Sequence, residues 1–161
     1  MWGQLTARER RARETLLGLI LATGQDPGLK TLASRLEVSD RAAARLVAVL
    51  ERKGFLVRDQ RSNNITVAYP LSTRPTHHRV TLRGRGQRRY ALCAIDALGV
   101  GPAFGAAVRA HSHCPQCGRA IRVDVTENQV VSVKPPSTLI WYSQPELLTE
   151  RGPQVNLAEV H

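Results

Sequence analysis

The sequence predicts an α+β chain: a helical N-terminal half, then a small, mostly antiparallel sheet domain carrying a buried Cys/Asp helix. Two observations predict it. Apolar residues recur at helical spacing up to Lys53. From Phe55 onward, short β-branched runs alternate with turn residues, which is strand patterning. The apolar fraction, 42%, is that of a folded chain, and 161 residues suffice for one ordinary domain or two small ones.

The elements follow in order. Residues 6–23 form a helix with Leu16, Leu17, Ile20 and Leu21 on one side, ended by Gly24 and Pro27. Residues 29–36 form a short second helix. After a turn at Glu37 and Val38, Ser39 caps a third helix, Asp40 to Lys53, because its hydroxyl can satisfy a free N–H of the first turn. Gly54 stops it. FLVRDQRSNNITVAY then reads as a hairpin around Ser62-Asn63-Asn64. Three helices followed by a hairpin is the winged-helix order, so residues 1–75 are expected to be a winged-helix-like domain, with a boundary at Pro70 to Pro75.

Residues 76–161 are expected to be the second domain. His77 to Leu82 suits a strand, and RGRGQRR, Arg83 to Arg89, a basic turn or linker. YALCAIDAL, Tyr90 to Leu98, is almost wholly apolar and reads as a buried helix ended by Gly99, Gly101 and Pro102. Further strands are expected at Ala106–Ala110, Ala120–Val125, Gln129–Val133, Thr138–Tyr142 and Val155–His161.

Charge and cysteine content narrow the function. Residues 1–92 carry 18 basic and 7 acidic side chains, and residues 93–161 carry 5 and 6. The basic half suits an anionic partner such as DNA as well as it suits plain solubility. No apolar run reaches membrane-span length, and MWGQLTARERRARETLL is charged and periodic rather than a signal peptide, so a cytoplasmic protein with no membrane partner is expected. Three cysteines without an export signal point to thiols rather than a disulfide framework.

Three groups of residues could carry chemistry. Cys93 and Asp96 lie three residues apart and are expected on one helix face in apolar surroundings, where a carboxyl holds its proton longer. On spacing alone, a buried cysteine acting as a small hydrophobe is the favoured reading. His111-Ser-His113-Cys114-Pro-Gln-Cys117-Gly118 contains a knuckle-type turn whose thiolates converge on one ion. Four-coordinate zinc would need further ligands, from His111, His113, Cys93 or His161. A lone CxxC also suits linear Hg(II) or Cu(I), because soft thiolates select soft metals. Arg41 and Arg45 sit early on the third helix, where DNA readers place base-contacting residues.

RRYALCAIDALGV, followed by AAVRAHSHCPQCGRAIRVDV, resembles the organomercurial (alkylmercury) lyases from about Arg89 to Val125. The resemblance implies protonolysis of a carbon–mercury bond without an organic cofactor. Cys93 would take the mercury, Asp96 would shuttle the proton to the leaving carbon, Cys114 would be mainly structural, and an external thiol would carry off Hg(II). The family's second active-site cysteine is missing; its position falls near Leu157. Two readings follow. Cys117 stands in as second thiolate, with zinc or mercury at Cys114 and Cys117. Alternatively the lyase step is lost, leaving a metal-binding (Zn, Hg or Cu) winged-helix DNA-binding regulator.

Overall fold

The computed structural model describes residues 4–84, 86–126 and 128–140. The chain divides into two compact units, Met1–Pro75 and Thr76–His161.

The first unit holds α1 (Ala7–Thr23), α2 (Gly28–Leu36) and α3 (Asp40–Arg52), then β1 (Leu56–Arg58), β2 (Ile65–Ala68) and β3 (Leu71–Ser72). Each helix starts or stops on a local signal. Thr6 and Glu9 cap α1 reciprocally: the Glu9 N–H donates to Thr6 Oγ1 at 3.3 Å and the Thr6 N–H to Glu9 Oε2 at 2.8 Å. Ser39 accepts from the Ala42 N–H at 3.3 Å at the start of α3. Leu16, Ile20, Leu32, Val47 and Leu50 form the core among the helices. The three strands pair antiparallel. Asp59 fixes the β1–β2 turn by accepting from the Arg61 and Ser62 N–H groups at 3.0 and 2.8 Å. The segment from Pro70 to Pro75, expected as a bare boundary, contains β3, whose Leu71 and Ser72 are both buried.

The second unit contains β4 (His78–Leu82), β5 (Arg88–Ala91), α4 (Ala94–Phe104), β6 (Val108–His113), β7 (Ala120–Val125) and β8 (Val130–Lys134). Its strands lie in the order β5-β4-β6-β7-β8, every neighbour antiparallel. One face is apolar: Val80, Leu82, Ala91, Val108, Ala110 and Val125 are buried, as are Ala97 and Val100 of α4. Of the turn or linker expected at Arg83 to Arg89, the turn is what the described residues show. The Leu82 N–H bonds to the Gln87 carbonyl at 3.2 Å where β4 leads to β5, and Gly84 has a φ of 83°.

The helix expected at Tyr90 to Leu98 is displaced. Tyr90 and Ala91 are strand, paired with Arg79 and His78, and the helix begins only at Ala94 and runs to Phe104. Cross-strand pairing with β4 outcompetes the helical propensity of the first residues. Gly99, Gly101 and Pro102 lie inside the helix rather than ending it; Gly105, at a φ of 55°, is the stop. The β6 strand also runs further than expected, through His113. Residues 138–140 form no strand. Tyr142, Leu157, His161 and the strand expected at Val155–His161 lie outside the described residues.

Candidate active site

Cys93 sits where β5 hands over to α4. Its backbone is extended, with φ −136° and ψ 179°, so it is the N-cap of α4 rather than a helical residue. Asp96 is the third residue of the helix. The pair therefore meets as cap and first turn, not as two positions on a helix face as the spacing suggested. A thiol takes the place of the usual capping hydroxyl. The Asp96 N–H donates to Cys93 Sγ at 3.4 Å, and the Cys93 thiol donates to Asp96 Oδ2 at 3.1 Å.

Burial sets the protonation of both groups. Cys93 is 2% exposed. Desolvation, helped by the neighbouring carboxylate, pushes its thiol up to about 12. Asp96 is half-buried, and its carboxyl is raised from the ordinary range, again by desolvation first. A thiol that holds its proton is a poor free nucleophile. Here, however, a carboxylate oxygen already rests on that proton. Whatever displaces the proton from sulfur finds its acceptor in place.

Sequence reasoning missed what supports this corner. Thr76 Oγ1 donates to the Ala91 carbonyl at 2.6 Å, tying the lead-in of β4 to the end of β5. The His78 ring is 8% exposed and its Nδ1 lies 2.8 Å from Ser112 Oγ. The run Thr76-His77-His78 before a strand was the only signal.

The second thiol group is the turn between β6 and β7. The Cys114 N–H donates to the Arg119 carbonyl and the Gly118 N–H to the Cys114 carbonyl, each at 2.9 Å, with Gly118 at a φ of 68°. Hydrogen bonds from the backbone N–H groups of Cys117 and Gln116, and from the Cys117 thiol, lower Cys114 below an ordinary thiol. Cys114 is half-buried and Cys117 exposed.

His111 and His113 do not complete a metal set. Both belong to β6, paired with Arg79, Arg122 and Ala120. Strand alternation points them to the face opposite Ser112. Desolvation and the positive charges of Arg109, Arg122 and Arg79 lower the His111 ring further. Among the described residues, no three His, Cys, Asp or Glu side chains converge as metal ligands. The five-residue set of Cys93, Cys114, Cys117, His111 and His113 is thus not gathered in one place. Arg41 and Arg45 are exposed on α3, the Arg45 Nε 3.5 Å from the Arg41 carbonyl. No helix among the described residues is long and apolar enough to cross a membrane.

The Cys93–Asp96 corner lies within residues 71–153, the stretch matched by the family model for alkylmercury lyase. The chain belongs to the alkylmercury lyase family. It is similar to the alkylmercury lyase of Staphylococcus epidermidis, 34% identical over 80 residues, and to that of Bacillus cereus, 32% identical over 80. Each match covers 50% of this chain but 36% of the relative, so the chain aligns with about a third of their length. Among solved structures it is similar to the mercury-bound form of MerB2, with a TM-score of 0.61 and 26% identity, over 84% of this chain and 71% of that one.

Proposed function

We propose that this protein is an organomercurial lyase that cleaves carbon–mercury bonds by protonolysis, with Cys93 as mercury ligand and Asp96 as proton carrier. The observation that carries this reading is the 3.1 Å hydrogen bond from the Cys93 thiol to Asp96 Oδ2. Mercury bound to an organic group arrives with an exchangeable ligand. Cys93 sulfur takes the metal, that ligand leaves, and the thiol proton passes to the Asp96 carboxylate. Asp96 then delivers the proton to the carbon, which leaves as the hydrocarbon with the bonding pair completing its new C–H bond. Mercury stays on sulfur as Hg(II), and Asp96 is again a carboxylate. The apolar setting that raises Asp96 makes its neutral form a stable intermediate carrier. No organic cofactor enters, because ligand and proton carrier are both side chains, and an external thiol removes the metal. The α1–α2–α3 and β1–β2 order of the first unit is read as a winged-helix-like module.

The test is benzene release from a phenylmercury salt under excess thiol, followed by gas chromatography. The parent should release benzene, and Cys93→Ser and Asp96→Ala should fall to the thiol blank. Equal release from parent and blank would reject the lyase reading.

A further inference from the structure

The reaction proposed above uses one of the three cysteines. The other two sit in one tight turn. Its backbone is pinned by the Cys114–Arg119 and Gly118–Cys114 hydrogen bonds, each 2.9 Å, so the separation of the two Cα atoms is fixed. Unlike Cys93, this turn is open to solvent, with Cys117 exposed.

We propose that Cys114 and Cys117 form a two-coordinate soft-metal site for inorganic Hg(II), the product of the cleavage assigned to Cys93. The donor count decides the metal. Zinc in a structural site takes four ligands. Among the described residues no third His, Cys, Asp or Glu donor joins this pair. A linear soft ion is satisfied by two thiolates.

Register decides the relation to Cys93. β4 pairs His78 with Ala91 on one side and Arg79 with His111 on the other. Cys93 follows the end of β5 and Cys114 follows the end of β6, and both of those strand ends lie beside the start of β4. Mercury leaving Cys93 thus emerges at the end of the sheet where the two linked thiols lie. The exchange balances without any redox partner. A Cys93–S–Hg–X adduct, X being the ligand the organomercurial brought or an external thiolate, meets the Cys114 and Cys117 thiols. The metal forms bonds to both turn sulfurs, one thiol proton passes to Cys93 sulfur, and the other leaves with X as HX.

This inference rests on the lyase reading for its biological sense, but its test does not. Full-length, reduced protein is given one equivalent of mercuric chloride under excess monothiol competitor, desalted, and assayed for bound mercury. Parent and Cys93→Ser should retain the metal equally. Cys117→Ser should need about 100-fold less competitor to lose it, because a second linked thiolate adds that much effective concentration. Cys117 is exposed, so this variant should keep the parent's circular dichroism; Cys114→Ser is the companion. Retention that follows Cys93 instead of the turn, or that survives Cys117→Ser unchanged, overturns the site. Zinc held as tightly as mercury through the same wash overturns the two-coordinate assignment. Benzene release plays no part, so loss of the lyase reading and loss of this site are separate results.

Discussion

At the scale of single residues, the chemistry turns on how one proton is shared between Cys93 and Asp96. Burial shifts both groups toward their neutral forms because it penalises charge. For Cys93 this has a consequence for stability. The unfolded thiol ionises near the ordinary 9.0, the folded one at about 12. Between those values the unfolded chain has lost a proton that the folded chain keeps, so stability falls as pH rises through that window. Alkaline denaturation should show this fall, and Cys93→Ser should flatten it; a slope unchanged by the substitution would contradict the buried thiol. For Asp96 the expected effect is on rate. The carboxylate must be free to accept the thiol proton, so the acid limb of kcat/KM should lie above the ordinary 3.8. Asp96→Asn keeps the shape but not the acceptor and should cost about 100-fold or more in kcat. The pairing of these residues was legible from their spacing. Its geometry was not, since a spacing of three also fits a cap and the residue it caps, and only pairing of Tyr90 and Ala91 with β4 selects the cap.

At the scale of elements, α4 shows why glycine is an ambiguous stop signal. Gly99 and Gly101 look alike in sequence, and both were read as ending a helix. A side chain at Gly101 would meet the Thr126 carbonyl oxygen at 2.8 Å, whereas at Gly99 it would meet nothing within 4 Å. Gly101 is therefore a point of close packing between α4 and the end of β7. Gly101→Ala should lower stability by about 1–3 kcal/mol through overpacking. Gly99→Ala should raise it by about 0.5–1 kcal/mol by restricting the unfolded chain in an otherwise tolerant helix. Thermal denaturation of the two variants should shift in opposite directions, and a shared direction would count against this packing. The helices of the first unit were easier to read because their boundaries are local: Thr6 with Glu9, Ser39, and Gly54 each mark an end in the residues themselves. The end of β6 was harder. His111 and His113 alternate with Ser112 as strand residues do, but histidines beside cysteines read first as ligands.

At the scale of the whole molecule, the information absent from the sequence is which strands become neighbours. The order β5-β4-β6 puts the ends of β5 and β6, after which Cys93 and Cys114 follow, at the same end of the sheet although 20 residues intervene between the two cysteines. No local pattern announces that, because register depends on pairing partners far along the chain. It changes the reading of the cysteines from a failed metal cluster to two stations with unequal duties. Cys93 is buried beside a proton acceptor and suits bond cleavage. Cys114, half-buried, and Cys117, exposed, share a pinned turn and suit holding a metal. A chain so arranged should complete more than one cleavage before external thiol becomes obligatory. With phenylmercury in excess and added thiol withheld, benzene release should stop once Cys93 and the turn have each taken a mercury ion. In Cys117→Ser it should stop one turnover earlier, at the filling of Cys93 alone. Restoring excess thiol should return both proteins to continuous turnover at similar rates, since the turn stores the product without taking part in the cleavage. Equal bursts from the two proteins would mean that mercury on Cys93 never reaches the turn, and the two stations would then be independent sites in one fold.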